Sequence, residues 1–143
     1  MFIGTYYHNL DEKCRLVIPS KMRDELGGRA YILKGFDGAL SIYKESEFFE
    51  LAQKLQKLPF NKKDARAYLR IQLASACELD IDRQGRALLP TQLLTKYGIG
   101  KEVAVIGAYD HIEVWNKADY EAYEQNANTS FEDIAEGLDS DKD

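Results

Sequence analysis

Asp11-Glu12-Lys13-Cys14-Arg15-Leu16-Val17-Ile18-Pro19 returns, in residue type and spacing, as Asp82-Arg83-Gln84-Gly85-Arg86-Ala87-Leu88-Leu89-Pro90. Both copies read Asp, three residues, Arg, three apolar residues, Pro, and every matched position lies 71 residues further on. In a chain of 143 residues, such an offset points to two copies of one structural unit. The fold question becomes what one unit looks like. The function question becomes why each unit carries an Asp followed by an Arg.

Reading outward from the first copy, Thr5 to Leu10 alternates as a strand and Asp11 to Cys14 makes a turn. Arg15 to Ile18 is a second strand. Pro19 suits the first position of a short helix, Ser20 to Leu26, which Gly27 closes. Strands at Ala30 to Lys34 and Leu40 to Tyr43 flank a Gly35-Phe36-Asp37-Gly38 turn. The second copy has strands at Glu78 to Ile81 and Arg86 to Leu89, with a helix from Pro90 to Gly98. Its last strands, Glu102 to Ile106 and His111 to Trp115, flank Gly107-Ala108-Tyr109-Asp110. There the offset becomes 72, so Gly35 aligns with Gly107 and Tyr43 with Trp115.

Between the copies, apolar residues at helical spacing predict a helix capped by Ser46 and running to Leu58. A second helix is predicted from Asn61 to Ser75, with Asn61 and Asp64 as a capping-box-like pair. After Trp115, a helix over Ala118 to Gln125 is expected to break at Asn126-Ala127-Asn128-Thr129. Ser130 then caps a last helix through Ile134, and Gly137 to Asp143 is expected to fray. The organisation is α+β, with units at 5–47 and 76–119, linking helices at 48–75, and a helix with an acidic tail at 120–143.

Composition narrows the function classes. Hydrophobic residues make up 45% and aromatics 11%, enough for a packed core, and no apolar run of about 18 residues predicts a membrane span. Met1 to Thr5 lacks the pattern of a signal peptide, so a cytoplasmic location is expected. Cys14 and Cys77 are expected to be free thiols, and with His8 and His111 they lack the spacing of a metal site, so no metal or cofactor is expected. Net charge is −5, but residues 117–143 hold nine acids and two bases, leaving residues 1–116 at +2. Residues 54–70 carry six bases and one acid. An acidic tail masks a mildly basic body.

Lys13 and Arg15 in one copy, and Arg83 and Arg86 in the other, put cations at two related turns. Arginine reads a guanine edge bidentately and clamps phosphate, and a two-stranded antiparallel ribbon fits the major groove. Asp11 and Asp82 suit turn position i, where the carboxylate accepts backbone N–H groups, with Gly85 supplying a positive φ. A purely structural role, an Asp–Arg bridge locking each hairpin, explains the same pattern. Asp11, Asp80 and Asp82 offer carboxylates for an enzyme, but no nucleophile triad, phosphate loop or metal spacing accompanies them.

The residues also carry a resemblance. Met1 to Gly4, Leu10 to Arg15, Val17-Ile18-Pro19, Gly35-Phe36-Asp37, Lys62 to Arg66, Glu78 to Pro90 and Val103 to Trp115 resemble the MraZ family of bacterial transcriptional regulators. That family is built from two SpoVT/AbrB-like units. The resemblance implies an intertwined, double-psi-like, swapped-hairpin β-barrel with peripheral helices. It implies binding of double-stranded DNA at short direct repeats in the promoter of the division and cell-wall gene cluster, which includes its own gene. It also implies nucleoid association and a ring-shaped homo-oligomer of roughly eight to twelve subunits. The family's DNA contacts fall at the basic positions of the two turns, here Lys13, Arg15, Arg83 and Arg86. Alternatives are a ring-forming scaffold, or an antitoxin-like regulator with another DNA target. Cys14 departs from the glycine usual at its position. A positive φ there costs about 1 kcal/mol and leaves an exposed thiol beside two cations.

Overall fold

The computed structural model describes residues 1–141. In chain order the strands of the first half are β1 (Thr5–Asn9), β2 (Arg15–Val17), β3 (Arg29–Lys34) and β4 (Leu40–Lys44). Those of the second half are β5 (Cys77–Asp80), β6 (Arg86–Leu88), β7 (Glu102–Gly107) and β8 (Ile112–Asn116). The helices are α1 (Ser20–Leu26), α2 (Glu45–Gln56), α3 (Lys63–Ser75), α4 (Thr91–Lys96), α5 (Lys117–Thr129) and α6 (Phe131–Asp141).

Six strands form one antiparallel sheet in the order β1-β7-β8-β4-β3-β5, and β2 pairs with β6 as a separate ribbon. The halves are therefore interleaved. β1 of the first repeat pairs with β7 of the second, β5 of the second with β3 of the first, and β4 and β8 meet at the centre. The registers disclose a pseudo-twofold axis. In the ribbon, Leu16 faces Ala87, its own repeat counterpart, while Arg15 faces Leu88 and Val17 faces Arg86. At the sheet centre Ser41 faces its counterpart Glu113, with Leu40 against Val114 and Ile42 against Ile112.

The closed barrel implied by the resemblance is not formed by the strand pairing. β1 and β5 end the sheet, and the ribbon joins it through the single bridge Ile81–Ala87 and turn bonds. The physical reason lies at the prolines. Pro19 and Pro90 follow three-residue strands by two residues, remove the next N–H and hold extended ψ (134° and 118°), so the ladder stops. They stand at the N-cap of α1 and α4, one place earlier than expected. The core lies between ribbon and sheet. Leu16, Ile18, Ala87 and Leu89 meet Ile32, Ile42, Val105 and Val114, all essentially inaccessible, and Met22, Leu26, Leu93 and Leu94 close its ends.

The linking helices cover the β3–β4 side. Phe48 of α2 stacks on Tyr31 at 4.2 Å, and Gln72, the buried residue of α3, donates to the Lys34 carbonyl at 2.7 Å. Several sequence expectations need correction. β4 runs straight into α2, so Ser46 falls inside its first turn and Lys44 takes the N-cap without a side-chain bond. α3 begins at Lys63, not Asn61, and no capping box forms; Arg66 instead donates to the Phe60 carbonyl. α5 runs unbroken through Asn126-Ala127-Asn128-Thr129, because continuous backbone hydrogen bonding outweighs a few tenths of a kcal/mol of poor propensity per residue. α6 extends beyond Ile134 and through Gly137 to Asp141, rather than fraying there; the last two residues of that expectation lie outside the described residues.

The register of the second repeat is also sharper than expected. Ala30 and Val103 are both buried and pair with Lys44 and Asn116, which are repeat counterparts. β3 and β7 are thus offset by one residue more than β4 and β8. The Ile99–Lys101 stretch supplies the insertion, and Ile99 fills the core. Gly107 therefore ends β7, whereas Gly35 starts the turn after β3. A Cβ at Gly107 would sit 2.3 Å from the Ile3 nitrogen, because the N-terminal strand segment crosses there.

Candidate nucleic-acid interface

Each Asp-x-x-x-Arg turn is built by its carboxylate. Asp11 Oδ1 accepts the backbone N–H groups of Lys13 and Arg15, both at 2.9 Å, and Oδ2 accepts Arg15 Nε at 2.6 Å. Asp82 repeats this with Gln84 N and Arg86 N at 2.9 Å each, and Arg86 Nε at 2.9 Å. Backbone bonds close each turn, from Cys14 N to Asp11 O and from Gly85 N to Asp82 O. The Arg15 backbone N–H, which outweighs the opposing desolvation, holds the Asp11 carboxyl below the usual carboxylate range, with its guanidinium and the Lys13 N–H adding to the effect. Arg86 and Gln84 do the same for Asp82. One carboxylate thus shapes the turn and aims the guanidinium.

The pairing of β2 with β6 changes the picture of two separate cationic places. Arg15, Val17, Arg86 and Leu88 occupy the outer face of one ribbon, opposite the buried Leu16–Ala87 pair. Arg15 and Arg86 are diagonal neighbours, a relation that spans about 7–8 Å in an antiparallel pair. Each is held by Nε, and among the described residues neither Nη pair has a hydrogen-bond partner. Lys13 and Arg83 are exposed at the tips at either end. Val17 and Leu88 are 38% and 59% exposed beside the two arginines, an apolar element that the turn pattern did not announce.

The two tips differ in packing. Gly85 has φ +76° and Cys14 has φ +62°. Over Gly85 lies Arg23 of α1, whose Nε donates to the Ile18 carbonyl at 3.0 Å; a Cβ at Gly85 would fall 2.0 Å from that nitrogen. The counterpart of Arg23 is the buried Leu94, so the matching place beside Cys14 is an open groove of about 740 Å³ between Leu94, Ile99 and Lys101. Cys14 is half-buried against the core rather than exposed, since its positive φ turns the side chain toward α4. Arg23 adds a cation near the second tip, and the one available signal for it was its mismatch with Leu94. Gly85→Ala is expected to destabilise the fold by about 1–3 kcal/mol, through the left-handed backbone and loss of the Arg23–Ile18 bond. Urea unfolding measures this, and Arg23→Ala in the same chain should recover part of the loss.

In this two-repeat α+β chain, paired carboxylate-held arginines thus stand on the outer face of one antiparallel ribbon, an element whose width suits a nucleic-acid groove. A family model described as "MraZ protein, putative antitoxin-like" matches residues 1–71 and again 73–141. The transcriptional regulator MraZ of Finegoldia magna is 43% identical over 96% of both chains. Proteins of the same name from Clostridium tetani and Thermoanaerobacter pseudethanolicus are 46% and 45% identical, over 96% and 97% of both chains. The chain belongs to the MraZ family, whose named members are transcriptional regulators rather than enzymes. No helix among the described residues is long and apolar enough to cross a membrane.

Proposed function

We propose that the chain is a sequence-specific regulator that lays the β2–β6 ribbon in the DNA major groove. It reads short direct repeats in the promoter of the division and cell-wall gene cluster, its own gene included. The observation that supports this most is the ribbon register, which puts Arg15 and Arg86 on one outer face. With Nε held by Asp11 or Asp82, each guanidinium keeps its Nη pair for a guanine edge or a phosphate. Lys13 and Arg83, at the tips, meet the flanking phosphates, and Val17 and Leu88 suit thymine methyl groups. The crossed pairing of β2 with β6 is taken as the swapped hairpin of AbrB-like units, with repeats at 5–47 and 76–119. The acidic 120–143 segment stays off the duplex, in a cytoplasmic protein associated with the nucleoid.

One ribbon makes few contacts, so one subunit binds weakly and with strong salt dependence. A ring of subunits facing successive repeats makes each later contact intramolecular and raises avidity by roughly 10² to 10⁴. Gel shifts on DNA with one repeat and with three repeats test this. Three repeats should bind at least 100-fold more tightly, a gain on the order given by linked contacts. Equal affinity for both would end the ring-avidity reading.

A further inference from the structure

Phe131, Ile134 and Leu138 recur along α6 at spacings of three and four residues, so they share one face, and they are 66%, 50% and 60% exposed. Glu132 and Asp139 lie together along one edge of that stripe. An acidic helix with a bare apolar face is unusual in a monomer unless something covers it. A surface of opposite character lies elsewhere on the chain. Where α3 meets α4, a groove of about 310 Å³ is walled by Ile71, Ala74, Leu93 and Tyr97, with Lys96 at its rim. Lys63 and Arg70 stand on the outward face of α3, away from the buried Gln72, and residues 54–70 carry six bases and one acid. Among the described residues, neither Arg70 nor Lys96 is in an ion pair.

We infer that the apolar face of α6 docks in the α3–α4 groove of a second copy of this chain, with Glu132 and Asp139 meeting Arg70 and Lys96. Two features commit the occupant to another copy: opposite charge, and an apolar stripe facing an apolar trough. The two surfaces are different patches, so the contact is head-to-tail, the type that closes into a ring when the rotation allows. The inference rests on the assembly proposed above and specifies which surfaces make it.

Sedimentation of the full chain carrying Ile134→Asp and Leu138→Asp tests the contact. The assembly should fall to the 16.3 kDa monomer, with far-UV circular dichroism unchanged because none of the described α6 side chains belongs to the core. Arg70→Glu with Lys96→Glu should do the same, and adding Glu132→Lys with Asp139→Lys should restore the assembly. Cys77 lines the groove and is exposed, so it provides a direct probe. In a Cys14→Ser chain, Leu138→Cys and a short bis-maleimide should give a ladder of covalent multimers. An assembly that survives the Asp substitutions and yields no ladder would overturn the α6 contact alone. A wild-type chain that sediments as a monomer at micromolar concentration would overturn the assembly reading with it.

Discussion

Arg15→Ala combined with Arg86→Ala is expected to weaken binding to a three-repeat operator by about 2–6 kcal/mol, roughly 30-fold to 10⁴-fold, at about 1–3 kcal/mol per lost bidentate contact. Fluorescence anisotropy at fixed salt measures it. The fold should be unaffected. Asp11 and Asp82 keep their backbone bonds to Lys13 N and Gln84 N, and to N of residues 15 and 86, which need no side chain at those positions. What the substitutions remove from stability is a pair of solvent-screened ion pairs, which contribute little. Arg15→Lys should weaken binding nearly as much, because an ammonium cannot hold Asp11 and still present a planar pair of donors. Lys13→Ala and Arg83→Ala should act differently, lowering affinity on all sequences alike and flattening the salt slope by about one unit each. If the double alanine variant unfolds, the Asp–Arg pairs are locks and the DNA reading of these arginines is lost.

Leu16→Ala is expected to have the largest effect on stability, about 3–5 kcal/mol. Leu16 is inaccessible to solvent, lies on the pseudo-twofold axis and already faces an alanine, Ala87. A second alanine there leaves a cavity that neither strand can fill without breaking the ribbon. Since β1 and β7, β3 and β5, and β2 and β6 all pair across the repeats, the two halves should unfold together. Urea titrations followed by far-UV circular dichroism and by Trp115 fluorescence should give coincident transitions, both shifted to lower urea in the variant. A transition at Trp115 that separates from the backbone signal would mean that the repeats are independent units.

The duplicated Asp-x-x-x-Arg stretch made much of this legible. Turn, strand, proline and short helix follow one another in both copies because each is a local consequence of its residues. Asp at position i accepts turn N–H groups, and proline ends a ladder. The boundaries that went astray are those where local signals compete with the rest of the fold. Ser46 is a good cap by type but falls inside α2 because β4 continues to Lys44. Asn126 to Thr129 resembles a break and is helical.

Which residues build the two turns could be read from residue order; their arrangement could not. From the sequence alone come two repeats, their α+β content, a basic body masked by an acidic tail, and cations at both turns. Only the tertiary structure joins β2 to β6, so that Arg15 and Arg86 share one ribbon, Val17 and Leu88 lie between them, Arg23 fills the place over Gly85, and the strand ladder stops short of a closed barrel. The physical reason is range. Turn chemistry acts over about four residues and is written where it acts. Pairing between strands 71 residues apart depends on which apolar faces can be buried together, and that is decided by the whole core at once.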